Sequence, residues 1–540
     1  MPSPVLAVTG GGLSLQGLPS ASQLQEEVVP LKTWIAVVGA ALGAFLAILN
    51  IQIVSSSLAD IQGAIGAGID DGGWITTAYL VAEIIVIPIS GWLARVFSLR
   101  TYLLTNTFLF LVLTVACAFT TTLPQMIVVR ALQGFAGGVL IPLAFSIIMT
   151  RLPPSRHAVG LSIYAISAIF APSIGPVIGG YCNENFGWQS IFFVNLLPGA
   201  VMFAMLWFSL DSASRQFDLL RRGDWLGIVT VAIGLGSLET VLEEGQKDDW
   251  FESPFIVRLS IVAAVALLAF ILVQLSRKEP LLNLRLLARR NFGIGTFANF
   301  FFGLSMYGWL YVVPLYLSRM QGYNAEQIGT VLIWIGLPQL AILPLIPQVM
   351  KRVDPRWLVG VGFLLFIAGS LLATDFSGDF SGPQFLSSSL VRAVAQSMVM
   401  TPLSAITVAG IQREHAGSAA ALFNMIRNLG GAIGIALLQT FLTKREQFHS
   451  DVLTTRVSLL ADATRARLDQ LTSYFMAHGV SDPAFARHEA VVAVGRAVRR
   501  QAFMLGYSDT IILQSALLGL ALLSVLLLKR AAAGSSGEAH

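Results

Sequence analysis

The chain has 540 residues, of which 55% are hydrophobic and only 12% charged, and its mean hydropathy is +0.73. A soluble domain carries about a quarter charged residues, so this composition excludes a soluble protein with one large core and predicts an all-α polytopic membrane protein. The net charge of +4 is no nucleic-acid signature, and no phosphate loop, Cys/His cluster or catalytic constellation points to an enzyme, a metal or a cofactor.

A membrane-crossing helix needs about 20 predominantly apolar residues. Residues 1–31 are a tail rich in Gly, Ser and Leu. They lack the early basic cluster of a cleaved signal, so the first span is expected to stay in the mature protein. Spans are then predicted near 33–54, 73–94, 100–120, 124–148, 158–181, 191–210, 224–243, 254–275, 292–317, 326–347, 357–376, 384–408, 418–441 and 507–528. The first span carries Asn50 and Gln52, two amides able to bond a substrate or a neighbouring acid. Glu83 lies near the middle of the second. A carboxylate at that depth is expensive, so it is expected to face the bundle interior and to mark a pathway. Such a group suits the loading and unloading of one proton per cycle. The segment after it runs from Gly91 through Arg95 and Ser98 to Arg100. In the fourth span Arg130 opens a run containing Gln133, Gly134 and Gly138, at a depth that suits pairing with Glu83. The fifth reads Ala-Pro-Ser-Ile-Gly-Pro-Val-Ile-Gly-Gly over 171–180. Pro172 and Pro176 are expected to bend it. Gly175, Gly179 and Gly180 remove side chains so that another helix can approach.

In the seventh span Asp224 is placed as an N-cap, and Glu239 reads as interfacial. The ninth is aromatic, with Phe300, Phe301, Phe302, Tyr307, Trp309 and Tyr311. Together with Met306, Trp334 and Gln339 these are expected to line an apolar pocket for a bulky lipophilic ligand, or else to form a lipid-facing set. Arg392 and Arg427 are buried cations of the later spans. The Gly-rich run opened by Arg427 reads as helix packing, since no strand precedes it. Residues 444–505 are the one long segment outside the membrane. They show amphipathic helices that either cap the bundle or contact a protein or lipid. Most basic residues outside that segment fall on the side of the N-terminus, which predicts cytoplasmic N- and C-termini. Cys117 and Cys182 are not expected to form a disulfide.

Val129-Arg130-Ala131, Pro142-Leu143 and His157-Ala158 recur as Val391-Arg392-Ala393, Pro402-Leu403 and His415-Ala416, as two parallel six-helix halves would require. The expected organisation is a tail at 1–31, a six-helix bundle at 32–210, two inserted helices at 211–290, a second bundle at 291–529 containing the segment 444–505, and a tail at 530–540.

The 171–180 run resembles the fifth-helix antiporter motif of the major facilitator superfamily, and the Arg130 run its fourth-helix motif, whose arginine is linked to proton transfer. The 91–100 segment is similar to the superfamily's signature loop. Gly91 and Arg100 fit it, whereas Arg95 stands where an acid is usual and Ser98 where glycine is usual. Asn50 stands where related drug exporters commonly have Asp, and an amide carries no proton. With the run from Trp188 to Pro198 and the span count, the chain resembles the fourteen-spanner drug:proton antiporter-2 family, near the EmrB-type multidrug export permeases. That resemblance implies a major facilitator fold in a bacterial inner membrane and proton-driven export of hydrophobic or amphipathic compounds. It also implies a periplasmic adaptor of the HlyD type and an outer-membrane channel of the TolC type. Three readings stay open at this point: a multidrug exporter, an exporter of one metabolite or siderophore, and a non-transporting scaffold or sensor.

Overall fold

The computed structural model describes residues 29–68, 71–374, 380–458 and 461–529. The tail at 530–540 and all but the last three residues of the tail at 1–31 lie outside them. In lipid every backbone polar group must be bonded within the protein, and the described residues hold helices and no strand. Thirteen helices are long and apolar enough to cross a membrane. They are α1 (Leu31–Ser56), α2 (Trp74–Phe97), α3 (Leu99–Ala118), α4 (Leu123–Arg151), α5 (His157–Phe186), α6 (Ser190–Ser209), α7 (Trp225–Glu244), α8 (Pro254–Ser276), α9 (Arg290–Gln321), α10 (Ala325–Ile342), α12 (Phe385–Val408), α13 (Ala416–Arg456) and α15 (Pro483–Val525). Between α10 and α12 runs α11 (Pro355–Leu371), an apolar helix of 17 residues. It is about 26 Å long at helical rise, close to the ~30 Å hydrocarbon core. These make up the fourteen expected spans.

Local chemistry sets several boundaries. Asp224 caps α7 as expected, its Oδ1 accepting from the Gly227 amide at 3.0 Å. Its other oxygen accepts from Gln274 at 2.6 Å, and Arg277 lies 3.3 Å away, so the cap also ties α7 to α8. Ser98 separates α2 from α3 at φ 70°, a backbone region that favours glycine.

Pro172 and Pro176 lie inside α5, which runs through both. The helix packs against α1 and α10, and its glycines allow this. A methyl group on Gly175 would collide with the Gln52 side chain, and one on Gly179 with Ser56 Oγ, both on α1. On Gly180 it would meet the Glu326 amide of α10 at 2.6 Å. Gly175→Leu combined with Gly179→Leu is therefore expected to push α1 off α5 and to lower thermal stability in detergent; a melting point equal to that of the unmodified protein would count against it.

The amphipathic helices expected in 444–505 are largely continuations of the last two spans. α13 is 41 residues long and α15 is 43, about 62 and 65 Å at helical rise. Each therefore runs about 30 Å past the hydrocarbon core as one uninterrupted helix. Arg445 Nε lies 2.6 Å and His449 Nε2 2.7 Å from Asp509 Oδ2, and Arg499 lies 3.5 Å from Glu446. These contacts clamp α13 to α15. A short helix, α14 (Asp462–Ala477), packs on α15 through buried Leu468, with Arg487 3.3 Å from Asp469.

Candidate functional site

Five helices, α1, α2, α7, α9 and α13, enclose a cavity of about 420 Å³, within the range of small-molecule sites. Its apolar wall includes Ile48, Ile51, Leu80, Ile84, Leu310 and Ile435. Its polar wall holds Gln52, Glu83, Tyr307, Tyr311 and Asn428, together with Glu239, Glu243 and Glu244 of α7.

Glu83 is only 4% exposed, as its position in the second span predicted. Asn428 Nδ2 of α13 donates to Glu83 Oε1 at 3.4 Å. Glu83 Oε2 and Asn428 Oδ1 are buried without a partner. The contact joins the second span to the thirteenth, and close by Tyr164 Oη of α5 donates to Asn424 Oδ1 of α13 at 2.5 Å. Arg427 Nη2 donates to the same Tyr164 oxygen at 3.4 Å. One face of α13 thus presents Asn424, Arg427 and Asn428 to the helices of the first half.

Arg130 is fully buried but does not pair with Glu83; among the described residues no hydrogen bond or ion pair joins them. Its Nη1 donates to Asn50 Oδ1 at 2.6 Å and to Gln133 Oε1 at 2.7 Å, and its Nε to the Ile75 carbonyl at 3.2 Å. The guanidinium sits 4.3 Å from the centre of the Tyr79 ring. Of these partners, Ile75 and Tyr79 lie about two turns and one turn before Glu83 on α2, Asn50 belongs to α1 and Gln133 to α4 itself. Gln133 in turn donates to Thr114 at 2.7 Å. A methyl group on Gly134 would collide with the Tyr79 carbonyl, and one on Gly138 would lie 2.9 Å from Glu83 Cα, so these glycines set how closely α4 approaches α2.

Four expected ligand contacts are corrected. Asn50 Oδ1 accepts from Arg130, and the residue does not line the cavity. Trp309 is buried against Arg392, whose guanidinium carbon lies 3.8 Å from its ring centre, and against Phe385. Gln339 donates to Gln396 at 3.0 Å. Trp334 is 44% exposed and faces outward. Of the expected pocket residues, Gln52, Tyr307 and Tyr311 reach the cavity. On a helix only about one side in three can face a given cavity, and an aromatic run does not reveal which. Arg392 is fully buried, bonded by Nη1 to Ser370 Oγ at 2.5 Å and stacked on Trp309 and Phe366.

Gly91 and Arg95 line a second cavity of about 690 Å³ at the other end of α2. Arg95 has no ion pair among the described residues, so the usual acidic contact has no counterpart from this side chain. Arg100 donates to the Trp207 carbonyl at 3.1 Å and lies over its ring. Composition and spacing missed Asn428, Tyr164, Glu243 and Glu244, and placed Glu239 at the interface. The one available signal was the run Glu239-Thr-Val-Leu-Glu-Glu244 inside an apolar window.

Fourteen apolar spans around a cavity that carries buried carboxylates define a multi-pass membrane transport protein. The chain belongs to the Major Facilitator Superfamily, whose family profile matches residues 40–435, and it is accordingly a transporter and not an enzyme. It is 30% identical over 455 residues to the multidrug export protein EmrB of Escherichia coli K12, covering 83% of this chain and 88% of the relative. It is 28% identical over 481 residues to the colistin resistance protein EmrB of Acinetobacter baumannii, covering 89% and 93%. It is also 28% identical over 500 residues to the fatty acid resistance protein FarB of Neisseria gonorrhoeae, covering 92% and 96%. Among solved structures the fold resembles the proton:xylose symporter XylE, with a TM-score of 0.54 at 16% identity over 90% of this chain and 94% of that one. It also resembles the human organic anion transporter MFSD10, with a TM-score of 0.53 at 14% identity over 91% and 100%.

Proposed function

We propose that this transporter exports hydrophobic or amphipathic compounds across a bacterial inner membrane in exchange for protons. The observation that carries this reading is Glu83: a buried carboxylate with one unpartnered oxygen, on the wall of a drug-sized cavity between the halves. The names of the relatives support export of toxic compounds. In the working cycle Glu83 takes a proton from one side and releases it to the other. Ionised, it accepts from Asn428 and links α2 to α13; neutral, it holds that amide more weakly, so the halves can rock apart. The halves are residues 32–210 and 291–529, with 211–290 inserted between them, and both termini face the cytoplasm. The test is uptake of a lipophilic dye into inside-out vesicles after an imposed pH step. Dye movement that ignores the step overturns the reading.

The reading includes a tripartite assembly with a HlyD-type adaptor and a TolC-type channel. The α13–α15 extension is the segment that reaches toward such a partner, and it exposes Phe448, Tyr474, Phe485 and Val491. Replacing 450–498 with a short Gly/Ser linker keeps the Arg445–Asp509 clamp. That variant is expected to retain vesicle transport and to lose adaptor co-purification and drug resistance in cells. Unchanged co-purification would show that the extension only caps the bundle.

A further inference from the structure

α7 belongs to the two helices expected as an insertion, yet it packs on α2 and touches α13 and contributes three carboxylates to the cavity. Glu244 is engaged: it accepts from Thr77 Oγ1 at 2.8 Å and from Lys247 at 3.1 Å. Glu239 is not. It is 4% exposed, and its Oε2 has no partner. Glu243 lies one turn further along the same face, since residues four apart stack on a helix. Among the described residues the only basic side chain on the wall is Lys247, already held by Glu244. The buried arginines nearby point elsewhere, Arg130 into Asn50 and Gln133 and Arg427 to Tyr164. Tyr307 and Tyr311 of α9 contribute aromatic surface, which attracts cations through the ring quadrupole.

We propose that Glu239 and Glu243 of α7 form a charge-recognition subsite of the cavity, which selects lipophilic ligands bearing one compact positive centre, such as a protonated or quaternary amine or a phosphonium. The inference rests on the export reading, because it places the ligand in the same cavity. An orphaned carboxylate oxygen in an apolar wall lacks a donor or counter-charge, and a desolvated cation supplies one. A lipophilic anion meets no free cation on that wall among the described residues. Glu83 stays available for protons, because ligand charge is met on the α7 side of the cavity.

The experiment compares two ions of matched size and opposite charge, tetraphenylphosphonium and tetraphenylborate, by equilibrium dialysis against the full-length protein in nanodiscs. Saturable phosphonium binding is expected, weakened at least tenfold in Glu239→Gln/Glu243→Gln, with borate failing to displace it. Glu239→Asp, which keeps the charge, is expected to retain most of the affinity, which separates loss of charge from misfolding. Equal phosphonium binding by the double Gln variant, or displacement by borate, overturns the proposal. Binding is read without a gradient, so the result is separable from the pH-step test of transport.

Discussion

Glu83→Gln is expected to reduce pH-driven efflux to background while leaving the protein folded and inserted. Gln matches Glu in volume, and its amide oxygen can still accept from Asn428 Nδ2, so the contact seen at 3.4 Å survives in neutral form. What is lost is the exchangeable proton. No other acid lies on the α2 face of the cavity, and Asn50, an amide that bonds Arg130, cannot titrate. The expected fall is on the order of 100-fold or more, the scale of removing a positioned proton-transfer group. Flux in proteoliposomes measured with and without a pH step decides this. Wild-type, gradient-dependent flux in the variant would move the coupling role away from Glu83, with Glu239 the next group to change.

Arg130→Ala is the second large effect. The side chain makes three hydrogen bonds and stacks on Tyr79. Its removal leaves Asn50 Oδ1 without its donor and frees Gln133 to turn, each at about 1–3 kcal/mol, and it opens a void beside Tyr79. Transport is expected to fall at least tenfold and thermal stability in detergent to drop. Arg130→Lys keeps a charge near the two amide oxygens but loses the bond to Ile75 and the planar stack, so partial recovery of both readouts is expected. The guanidinium makes no hydrogen bond or ion pair with Glu83, but its buried charge reaches the carboxylate through space, so it acts both through the position of α2 and through its field. The pH dependence of the residual flux in Arg130→Ala is therefore expected to be displaced from that of the unmodified protein. An unchanged pH profile would show that the role is positional alone. Intact stability together with lost transport would show that the role is not positional.

The glycines, the extension and the acids of α7 show where legibility in the primary structure ended. Gly175 and Gly179 were readable as close-approach positions because a small residue in an apolar helix has few other uses. Which helix approaches, α1 for these two and α10 for Gly180, depends on contacts between segments more than 100 residues apart. The 444–505 segment was readable as amphipathic, but its continuity with the thirteenth and fourteenth spans was not, because a helix leaving the bilayer changes its surface and not its backbone. Glu239 sat close enough to the end of its span to pass for an interfacial residue. Only the packing of α7 on α2 shows that its carboxylate enters the cavity.

From its sequence alone this protein is a helical, many-spanning membrane transporter. The hydrocarbon core dictates the length and composition of every span, and that demand is local, so each segment can be read singly. The buried charges at Glu83, Arg130, Arg392 and Arg427 are legible for the same reason, since an ionisable residue in an apolar window stands out wherever its helix lies. Which of these charges meet was decided by tertiary structure. Arg130 turns to Asn50, Gln133 and Tyr79, Arg392 to Trp309 and Ser370, and Glu83 to Asn428, because partner choice depends on helix rotation and depth to within about one residue rise, 1.5 Å. An apolar pattern facing lipid on one side and protein on the other does not encode that rotation.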